Sequence, residues 1–431
     1  MSRTRIAIGI STAVGVVAAL GVMAAPTAGA QPRGHDGTFA VVADHLNNPR
    51  GLSPAPGGGL YLAEAGHGGK PCVGGGPEGE TCAGLTGSFD LITKGGHVKR
   101  IVTGLISASG AGGVAAEGPV AVSRGPRGTF YGLFGLNTHV VPPKGVIPDN
   151  VRSKALAQLG RLWLVKPGAW VKNVSNVGDQ DWAWSKRHSD LAPKDFPDAN
   201  PNAVLYSHGN RYVADAGANT LVRVKRNGAA KVRAFLPVPA HFQSDAVATC
   251  VARGPDGALY VGELLGGFHT PGHARIWRVT AHHAPTVWAR GLTTVQGCGF
   301  GSDGAFYATE FQTDGLTAQN PAGDVVRISQ NGQRTRLGVG KLFQPSGFAA
   351  GPNGSIYVSN CSIAPATGMG PQLCPTGGQV VRLGWGTVAG PCPWPGRCCS
   401  WRRRSSRWAR RRSRRAGTAC PRQGGCARRS G

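Results

Sequence analysis

Oxygen-bearing side chains recur at one position of a repeated sequence pattern. Six short runs rich in glycine and apolar residues each contain one tyrosine: Tyr61, Tyr131, Tyr212, Tyr260, Tyr307 and Tyr357. The third residue after each tyrosine forms the first column, which contains Glu64, Phe134, Asp215, Glu263, Glu310 and Asn360. Carboxylate and amide oxygens are the ligands that Ca²⁺ and Mg²⁺ prefer. If the runs converge in the fold, a site for Ca²⁺ or another divalent cation is one hypothesis, with Glu64, Asp215, Glu263, Glu310 and Asn360 as its ligands.

The first column also has a purely structural interpretation. Each acidic or amide side chain could accept hydrogen bonds from turn amides within its own repeat. Four like charges at one level repel unless they are protonated, paired with cations or neutralised by a metal, so the sequence leaves both interpretations open. The histidines complete no metal spacing, and neither a nucleophile-elbow motif nor a P-loop occurs.

A second column lies eleven residues before each tyrosine, or ten in the third repeat. It contains Arg50, Val120, Asn202, Thr249, Gln296 and Ser346. These residues open the innermost strand of each repeat, so we expect their side chains around a central channel. Their varied polar chemistry is typical of a rim that contacts a ligand. Glu117 adds an oxygen donor beside this rim, and Arg50 could instead pair with an acid of the first column.

The spacing of the repeats predicts the architecture that positions both columns. The last four tyrosines are 47 to 50 residues apart, and the first two repeats carry insertions. Each repeat contains short runs rich in Val, Tyr and Trp that are separated by glycine-containing turns, which is typical of antiparallel strands. A period of about 40–50 residues with four strands per repeat indicates a β-propeller. We therefore predict an all-β, six-bladed propeller of the NHL or lactonase-like type.

The two ends of the repeat region predict how the ring closes. The sixth repeat reaches only its third strand, GQVVRLG, at residues 378–384. A segment with the pattern of a fourth strand, GTFAVVADHL at residues 37–46, precedes the first repeat. If this segment completes the last blade, the ring has no exposed sheet edge. We therefore predict one propeller domain over residues 37–384.

The first 30 residues have the pattern of a secretory signal peptide. Arg3 and Arg5 precede an apolar stretch, and Ala28-Gly29-Ala30 provides the small residues of a cleavage site. No other stretch has the ~20 apolar residues of a membrane-spanning helix. We therefore expect a monomer without a transmembrane span after cleavage, secreted or held in the cell envelope.

The cysteines agree with an oxidising compartment. Six of the 11 cysteines lie in the propeller region, and spacing suggests three disulfides: Cys72–Cys82, Cys361–Cys374 and Cys250–Cys298. The first two would staple the loops after the second strands of blades one and six. The third would join the innermost strands of blades four and five. Spacing alone does not decide the connectivity.

The composition changes abruptly after Gly384. Residues 385–431 contain thirteen arginines, five cysteines and no acidic residue, and they cannot bury a core. A basic tail that binds nucleic acid or anionic surfaces, a disordered solvated tail and out-of-frame translation of a GC-rich gene all give such a composition, and we favour the last. The formal net charge of +26 is therefore mostly outside the propeller. Inside it, no clustered Lys/Arg or stacking aromatics indicate nucleic-acid binding.

Two insertions are expected to cover one face of the ring. The blade-two insertion predicts a short helix from Asn150 to Leu159, which Asp149 begins and Gly160 ends. The second insertion spans residues 173–200 and contains Trp182 and Trp184. Both are natural places for substrate or partner selectivity, because they extend loops at the rim.

Several motifs resemble the ScyD/ScyE family of secreted, NHL-like propellers, which is common in actinobacteria. They are VVADHLNNPRGL, the Cys72 to Cys82 loop, DANPNAV with RYVADAGANTLVRV, and DGALYVGELLGGF with ARIWRV. The likeness covers about residues 39–384 and implies a six-bladed propeller, but no particular reaction. The Arg-rich tail departs from the family pattern. More remotely, EGPVAV is similar to the EGPVW opening of gluconolactonases, which implies a metal-ligand role for Glu117 with Asn202 as a possible second ligand.

Two classes of function follow from these observations. The preferred hypothesis is an exported propeller that binds a small molecule, glycan or envelope protein at its channel mouth. The alternative is a divalent-metal-dependent, lactonase-like hydrolase or another exported small-molecule enzyme at the same mouth, with the metal acting as a Lewis acid.

Overall fold

The computed structural model describes residues 38–74, 79–192, 194–237, 245–265 and 271–384. The predicted signal peptide, the first residue of the predicted domain (Gly37) and the Arg-rich tail lie outside these ranges. In the described part of the chain, no helix is long and apolar enough to cross a membrane.

Six antiparallel sheets follow one another along the chain, which confirms the predicted six-bladed propeller. Each of blades two to five contains four consecutive strands, and blade one has an additional short strand. Blade one contains β2 (Pro49–Pro54), β3 (Leu60–Glu64), β4 (Cys72–Gly74), β5 (Glu80–Ile92) and β6 (Val98–Ser109), and blade two contains β7 (Pro119–Arg124), β8 (Phe130–Phe134), β9 (Arg161–Lys166) and β10 (Trp170–Asn176). Blade three contains β11 (Pro201–Ser207), β12 (Asn210–Asp215), β13 (Thr220–Val224) and β14 (Ala230–Phe235), and blade four contains β15 (Ala248–Arg253), β16 (Leu259–Glu263), β17 (Ala274–Val279) and β18 (Thr286–Leu292). Blade five contains β19 (Val295–Phe300), β20 (Phe306–Glu310), β21 (Ala322–Ile328) and β22 (Arg334–Phe343), and blade six contains β23 (Phe348–Ala350), β24 (Ile356–Asn360) and β25 (Gly378–Leu383).

The N-terminal strand closes the ring, as the sequence predicts. β1 (Phe39–Leu46) pairs antiparallel with β25, and Val41 lies opposite Val381. The sheet order is therefore β1-β25-β24-β23, with the N-terminal segment as the outermost strand of blade six. The innermost strand of blade six, β23, in turn contacts β2 of blade one. This arrangement covers the edge of β25 that would otherwise be free to pair with another chain.

Apolar side chains from facing blades fill the spaces between the sheets. Between blades one and two, Phe89 packs against Phe130 and Phe134 with ring centroids 5.8 and 5.4 Å apart. Gly132 makes this packing possible, because a Cβ atom there would lie 2.5 Å from Cζ of Phe89. The alternation of strand side chains thus places apolar residues against both neighbouring blades.

All three predicted disulfides are present. Cys72–Cys82 joins β4 to β5 within blade one, and Cys361–Cys374 closes a loop that follows β24. Cys250–Cys298 joins the innermost strands of blades four and five, with the two Cα atoms 5.7 Å apart. The last bond therefore links two blades directly at the channel wall.

The two insertions pack on the outside of the ring. Helix α1 (Asp149–Gln158) lies one residue before its predicted bounds, and Pro148 rather than Asp149 is its N-cap. It packs on blade one, where Gln158 Oε1 accepts a hydrogen bond from the amide of Ile106. Helix α2 (Val177–Arg187), which was not predicted, packs against β14 and β9. Single-turn 3-10 helices occur at Pro56–Gly58, Ala111–Gly113, Pro126–Gly128, Thr138–Val140, Ser189–Leu191 and Pro352–Gly354.

Candidate functional site

The six innermost strands surround a central cavity of about 320 Å³. All six residues of the second column line it, as the sequence predicts: Arg50, Val120, Asn202, Thr249, Gln296 and Ser346. They come together because each stands at or just before the start of an innermost strand, at the same end of the ring. The rest of the wall is largely apolar. The cavity therefore has a polar end and an apolar body.

Small residues directly after the second column allow the inner strands to approach closely. A Cβ atom at Gly297 would lie 2.1 Å from the carbonyl oxygen of Ser346, and one at Gly347 would lie 2.2 Å from that of Arg50. A Cβ atom at Gly51 would meet the backbone of Ala121 at 2.7 Å. Backbone contact between neighbouring blades thus sets the width of the cavity, and larger residues at these positions would widen or break the ring.

The polar residues of the second column have different roles. The hydroxyl group of Thr249 donates to the carbonyl oxygen of Val295 at 2.6 Å and so connects two blades. Asn202 of blade three and Gln296 of blade five instead contact each other, with Gln296 Nε2 3.4 Å from Asn202 Oδ1. The amide side chains at the polar end retain hydrogen-bonding capacity for a bound molecule.

Apolar loop residues of several blades pack into one cluster at the end of the ring where the innermost strands begin. The cluster includes Val114, Leu264, Phe311, Leu316 and Ile363. Val114 lies between blades one and two, whereas Leu264 follows the second strand of blade four. The cluster thus joins loops of neighbouring blades at this end of the ring. The second-column residues Arg50, Asn202, Thr249 and Ser346 are themselves buried.

Arg50 is a buried cation at the polar end. Its Nη2 atom donates to the carbonyl oxygen of Ala116 at 2.6 Å and lies 3.8 Å from Glu117 Oε1. Burial lowers the pKa of Arg50 and raises the pKa of Glu117, while their mutual attraction acts in the opposite direction for each. The nearest acid to Arg50 is thus Glu117 and not a member of the first column, which corrects the alternative pairing suggested by the sequence.

The first column is anchored within the individual blades. Four of its side-chain oxygens accept hydrogen bonds from backbone amides in the segment before the innermost strand of the same blade. The pairs are Glu64–Asn47, Asp215–Asn200, Glu310–Thr293 and Asn360–Phe343, with distances of 2.6 to 2.8 Å. Phe134 instead packs edge-on against Trp163. These contacts match the structural interpretation, in which each side chain holds the turn that precedes the second column.

Arginines neutralise three acids of the first column. Arg100 contacts Glu64 in blade one, and Arg336 contacts Glu310 in blade five, both at 2.8 Å. In blade four, Arg275 forms a two-point ion pair with Glu263, which also accepts a hydrogen bond from Trp277 Nε1. The sequence contained a signal for two of these partners, because Arg100 and Arg336 are each the third residue of a fourth strand.

Because the first-column side chains are bound by these partners, they do not provide the set of oxygen ligands that a divalent cation needs. Among the described residues, no group of three or more His, Cys, Asp or Glu side chains could hold a metal ion. The five predicted ligands of the first column are held in separate blades. Glu117, the candidate suggested by the gluconolactonase likeness, faces the guanidinium of Arg50 at 3.8 Å. A cation beside that guanidinium would be repelled, so the residues present do not fit a metal at this position.

Comparisons with known proteins give structural neighbours only. No family model and no curated protein matches the chain. Virginiamycin B lyase from Staphylococcus aureus has a similar structure, with a TM-score of 0.42 and 12% identity over 75% of this chain and 82% of that protein. A gluconolactonase from Xanthomonas campestris has a TM-score of 0.47 and 8% identity over 81% and 90% of the two chains. Regucalcin from Agrobacterium tumefaciens, a calcium-binding protein, has a TM-score of 0.47 and 11% identity over 81% and 94%. At these values the likeness assigns no activity to this chain.

In blade three a second acid lies beside the first-column acid, whereas the first-column acids of blades one, four and five pair with arginines. Asp181 of helix α2 lies beside Asp215, and both are buried. Thr220 donates to Asp181 Oδ2 at 2.5 Å, whereas Asp215 Oδ2 has no partner in the described part of the chain. Burial and then the negative charge of Asp181 raise the pKa of Asp215, and burial raises the pKa of Asp181 to about 6. Burial of both carboxyl groups therefore favours their protonated forms.

The free energy of unfolding is expected to fall as the pH rises from about 4 to about 7. The folded state holds protons on groups whose pKa is raised, and the unfolded state has already released them near its ordinary pKa. Burial raises the pKa of Asp181, Asp198 and Asp245 to about 6. Their stabilising contribution is therefore complete below the unfolded pKa of about 3.8 and is lost as the pH passes through the folded values. Denaturant unfolding at several pH values measures this slope.

A matched pair of variants tests whether the acid pair contributes to this slope. Asp181→Asn removes one negative charge beside Asp215, so the decline between pH 4 and 7 is expected to become shallower. The exposed Asp190 lies close by in the chain, and Asp190→Asn is expected to leave the slope unchanged. Stability that increases over this range, or an equal slope in Asp181→Asn and the parent protein, would contradict the assignment.

Proposed function

We propose that this protein binds a small molecule in the central cavity. The observation that carries the proposal is the convergence of six strand positions with different side chains, one from each blade, around one cavity of about 320 Å³. Small-molecule sites in proteins have volumes of about 300–1,000 Å³ and combine apolar walls with a few convergent polar groups. The cavity has this combination, since apolar strand residues form its body and Asn202 and Gln296 meet at one end.

Membership of the ScyD/ScyE family and export from the cell form part of the same proposal. The family likeness is supported by the quoted motifs over residues 39–384 and by a propeller closed by its N-terminal strand. Export is supported by three disulfides, because such bonds persist in oxidising compartments. A cavity ligand would then come from outside the cell or from the envelope.

A library screen against the full chain tests the proposed binding. Thermal unfolding is measured with each small molecule in the parent protein and in Gln296→Trp, whose larger side chain would occupy the polar end. Because a ligand that binds only the folded state raises the unfolding temperature, true cavity ligands are expected to stabilise the parent but not Gln296→Trp. Gln333→Trp, at an exposed turn, is the matched control and should retain the effect.

The same screen has a clear negative result. If no compound stabilises the parent protein, or if stabilisation is equal in Gln296→Trp and Gln333→Trp, the cavity is not a binding site. Ca²⁺ added to the screen, with and without a chelator, separates a metal effect from binding in the cavity. Stabilisation by Ca²⁺ that is retained in Gln296→Trp would place an ion outside the cavity. It would contradict the conclusion that the described residues form no metal site.

A further inference from the structure

The charges that line the cavity are all positive. Of the described residues that line it, two are arginines, Arg50 and Arg253, and none is an aspartate or glutamate. Arg50 stands near the start of β2 in blade one, and Arg253 is the last residue of β15 in the opposite blade. Arg253 lies four residues further along its strand than Thr249, the blade-four equivalent of Arg50, so a rise of about 3.3 Å per strand residue places the two arginines about 13 Å apart along the channel at their Cα atoms. The cavity thus has an arginine toward each end.

Arg50 is buried and retains unused hydrogen-bonding capacity. The guanidinium has five N–H donors, and among the described residues it forms one hydrogen bond, from Nη2 to the carbonyl oxygen of Ala116. Nε is buried and has no partner among the described residues. Glu117 Oε1 lies 3.8 Å from Nη2, which exceeds hydrogen-bond distance. Burial of a cation without a hydrogen-bonded anion is unfavourable, so an anion that binds Arg50 would stabilise it.

The neighbours of Arg50 are already engaged and hold it in place. The side-chain Nδ2 atom of Asn48 donates to the carbonyl oxygens of Gly66 and Gly113, and its Oδ1 atom accepts from the backbone amide of Ala116. The hydroxyl group of Ser359 donates to the backbone carbonyl of Arg50 at 2.5 Å. These contacts fix both the strand and the carbonyl that Nη2 binds. The unused donors of Arg50 are therefore preorganised.

The other fully buried ion pair provides a contrast. Arg275 contacts both oxygens of Glu263 and lies over the ring of Trp277, 4.7 Å from its centroid. Its partners come from its own blade and close the interaction, as expected for a structural pair. Arg50 differs in two respects, since it lines a cavity and its nearest carboxylate is outside hydrogen-bond distance.

We propose that the cavity binds a small organic carboxylate, with the carboxylate group on Arg50 and the less polar part of the molecule in the apolar body of the channel. This inference rests on the proposed function and specifies its ligand class. A carboxylate matches the planar guanidinium fork of Arg50 and would supply the acceptors that its free N–H groups lack. Asn202 and Gln296 lie at the same end and can donate or accept beside it. Arg253 adds a positive charge toward the other end, which favours anions throughout the channel.

Fluorine NMR with two matched probes tests this inference on the full chain. 4-Fluorobenzoate and 4-fluorobenzamide have nearly the same shape, but only the first is an anion. We expect 4-fluorobenzoate to bind at least about tenfold more tightly, because a charge-assisted hydrogen bond contributes more than a neutral one. Competition by acetate but not by inorganic phosphate at equal ionic strength would show that the carboxylate, rather than anionic charge in general, is recognised.

Variants of both partners keep the test independent of folding. Arg50→Met alone leaves Glu117 buried without a cation, so Arg50→Met with Glu117→Gln removes both charges at once. The double variant is expected to bind 4-fluorobenzoate at least about tenfold more weakly and to keep its affinity for the benzamide. Arg278→Met, on the partly exposed outer part of blade four, serves as a control and should bind both probes like the parent.

The outcomes separate this inference from the proposed function. Equal binding of both probes, lost in Gln296→Trp, would establish the cavity as a binding site and overturn the carboxylate inference. Binding of 4-fluorobenzoate that survives in the double variant would also overturn it, since the anion would then bind elsewhere. If neither probe binds while the library screen finds a neutral cavity ligand, the carboxylate inference fails and the proposed function stands.

Discussion

Replacement of Arg275 by methionine is expected to lower the free energy of unfolding by about 3–5 kcal/mol. The side chain of Arg275 is only 5% exposed, and its partner Glu263 is fully buried. Methionine fills part of the same volume but leaves the carboxylate of Glu263 without its cation. Trp277 Nε1, which donates to Glu263 at 2.7 Å, would remain as a neutral donor. Denaturant unfolding of the parent and the variant at pH 7 measures the loss.

Two comparisons show whether the loss arises from the buried charge. Arg278→Met removes an arginine from the same strand, but Arg278 pairs with Asp256 while both side chains are more than a third exposed. This control is expected to cost only a small fraction of the Arg275 effect, because solvent screens exposed pairs. Glu263→Gln in the Arg275→Met background removes the stranded charge and should restore part of the stability. Equal losses at Arg275 and Arg278 would contradict the argument.

The Arg275 variant should also have a distinctive dependence on pH. Burial raises the pKa of Glu263, and Arg275 opposes this shift in the parent protein. Without the arginine, the carboxyl group can enter the folded state in its protonated form, which needs no cation. The difference in stability between parent and variant is therefore expected to be smaller at pH 5 than at pH 8.

Removal of the Cys250–Cys298 disulfide is expected to cost about 4 kcal/mol. The bond closes a loop with a sequence separation of 48 residues, and the loss of chain entropy in the unfolded state grows with the length of the closed loop. It also connects two blades at the cavity wall, where Cys250 and Cys298 lie on neighbouring inner strands. Thermal and denaturant unfolding of the double alanine variant, without reductant, measures the effect.

The Cys72–Cys82 disulfide provides a matched control for this prediction. It closes a loop with a separation of only 10 residues, within blade one, and the same reasoning gives about 3 kcal/mol at most. Because it joins β4 to the end of β5, that hairpin can open without opening the ring, so its loss should affect global unfolding less. A larger effect at Cys72–Cys82 than at Cys250–Cys298 would contradict the view that the second bond stabilises the ring.

Periodic features of the chain were sufficient to predict the propeller. The tyrosine-centred runs identify the second strand of every blade, and the displaced fourth strand at residues 37–46 predicts that the N-terminal segment completes the last blade, where Val41 lies opposite Val381. These predictions succeed because a blade is a local unit, in which consecutive strands pair through short turns. Cysteine positions at equivalent places in neighbouring repeats likewise led to the Cys250–Cys298 bond.

The two columns differ in how far the repeat register decides their surroundings. The second column surrounds the cavity because its six members occupy equivalent strand positions, and the repeat register alone decides that. The first column occupies equivalent positions as well, yet its members are bound by partners that differ from blade to blade. Glu64 meets Arg100 on a fourth strand, Glu263 meets Arg275 on a third strand, and Asp215 meets Asp181 on an inserted helix.

The amino-acid sequence by itself therefore determined the number of blades, the closing strand and the ring of residues around the cavity, because these follow from register within a repeat. Only the tertiary structure decided the charge state of the site. Whether a carboxylate binds a metal, pairs with an arginine or is protonated depends on side chains that are distant in the chain and approach within about 4 Å after folding. The same holds for Arg50, whose unused donors become apparent only when its neighbours Asn48 and Glu117 are in place.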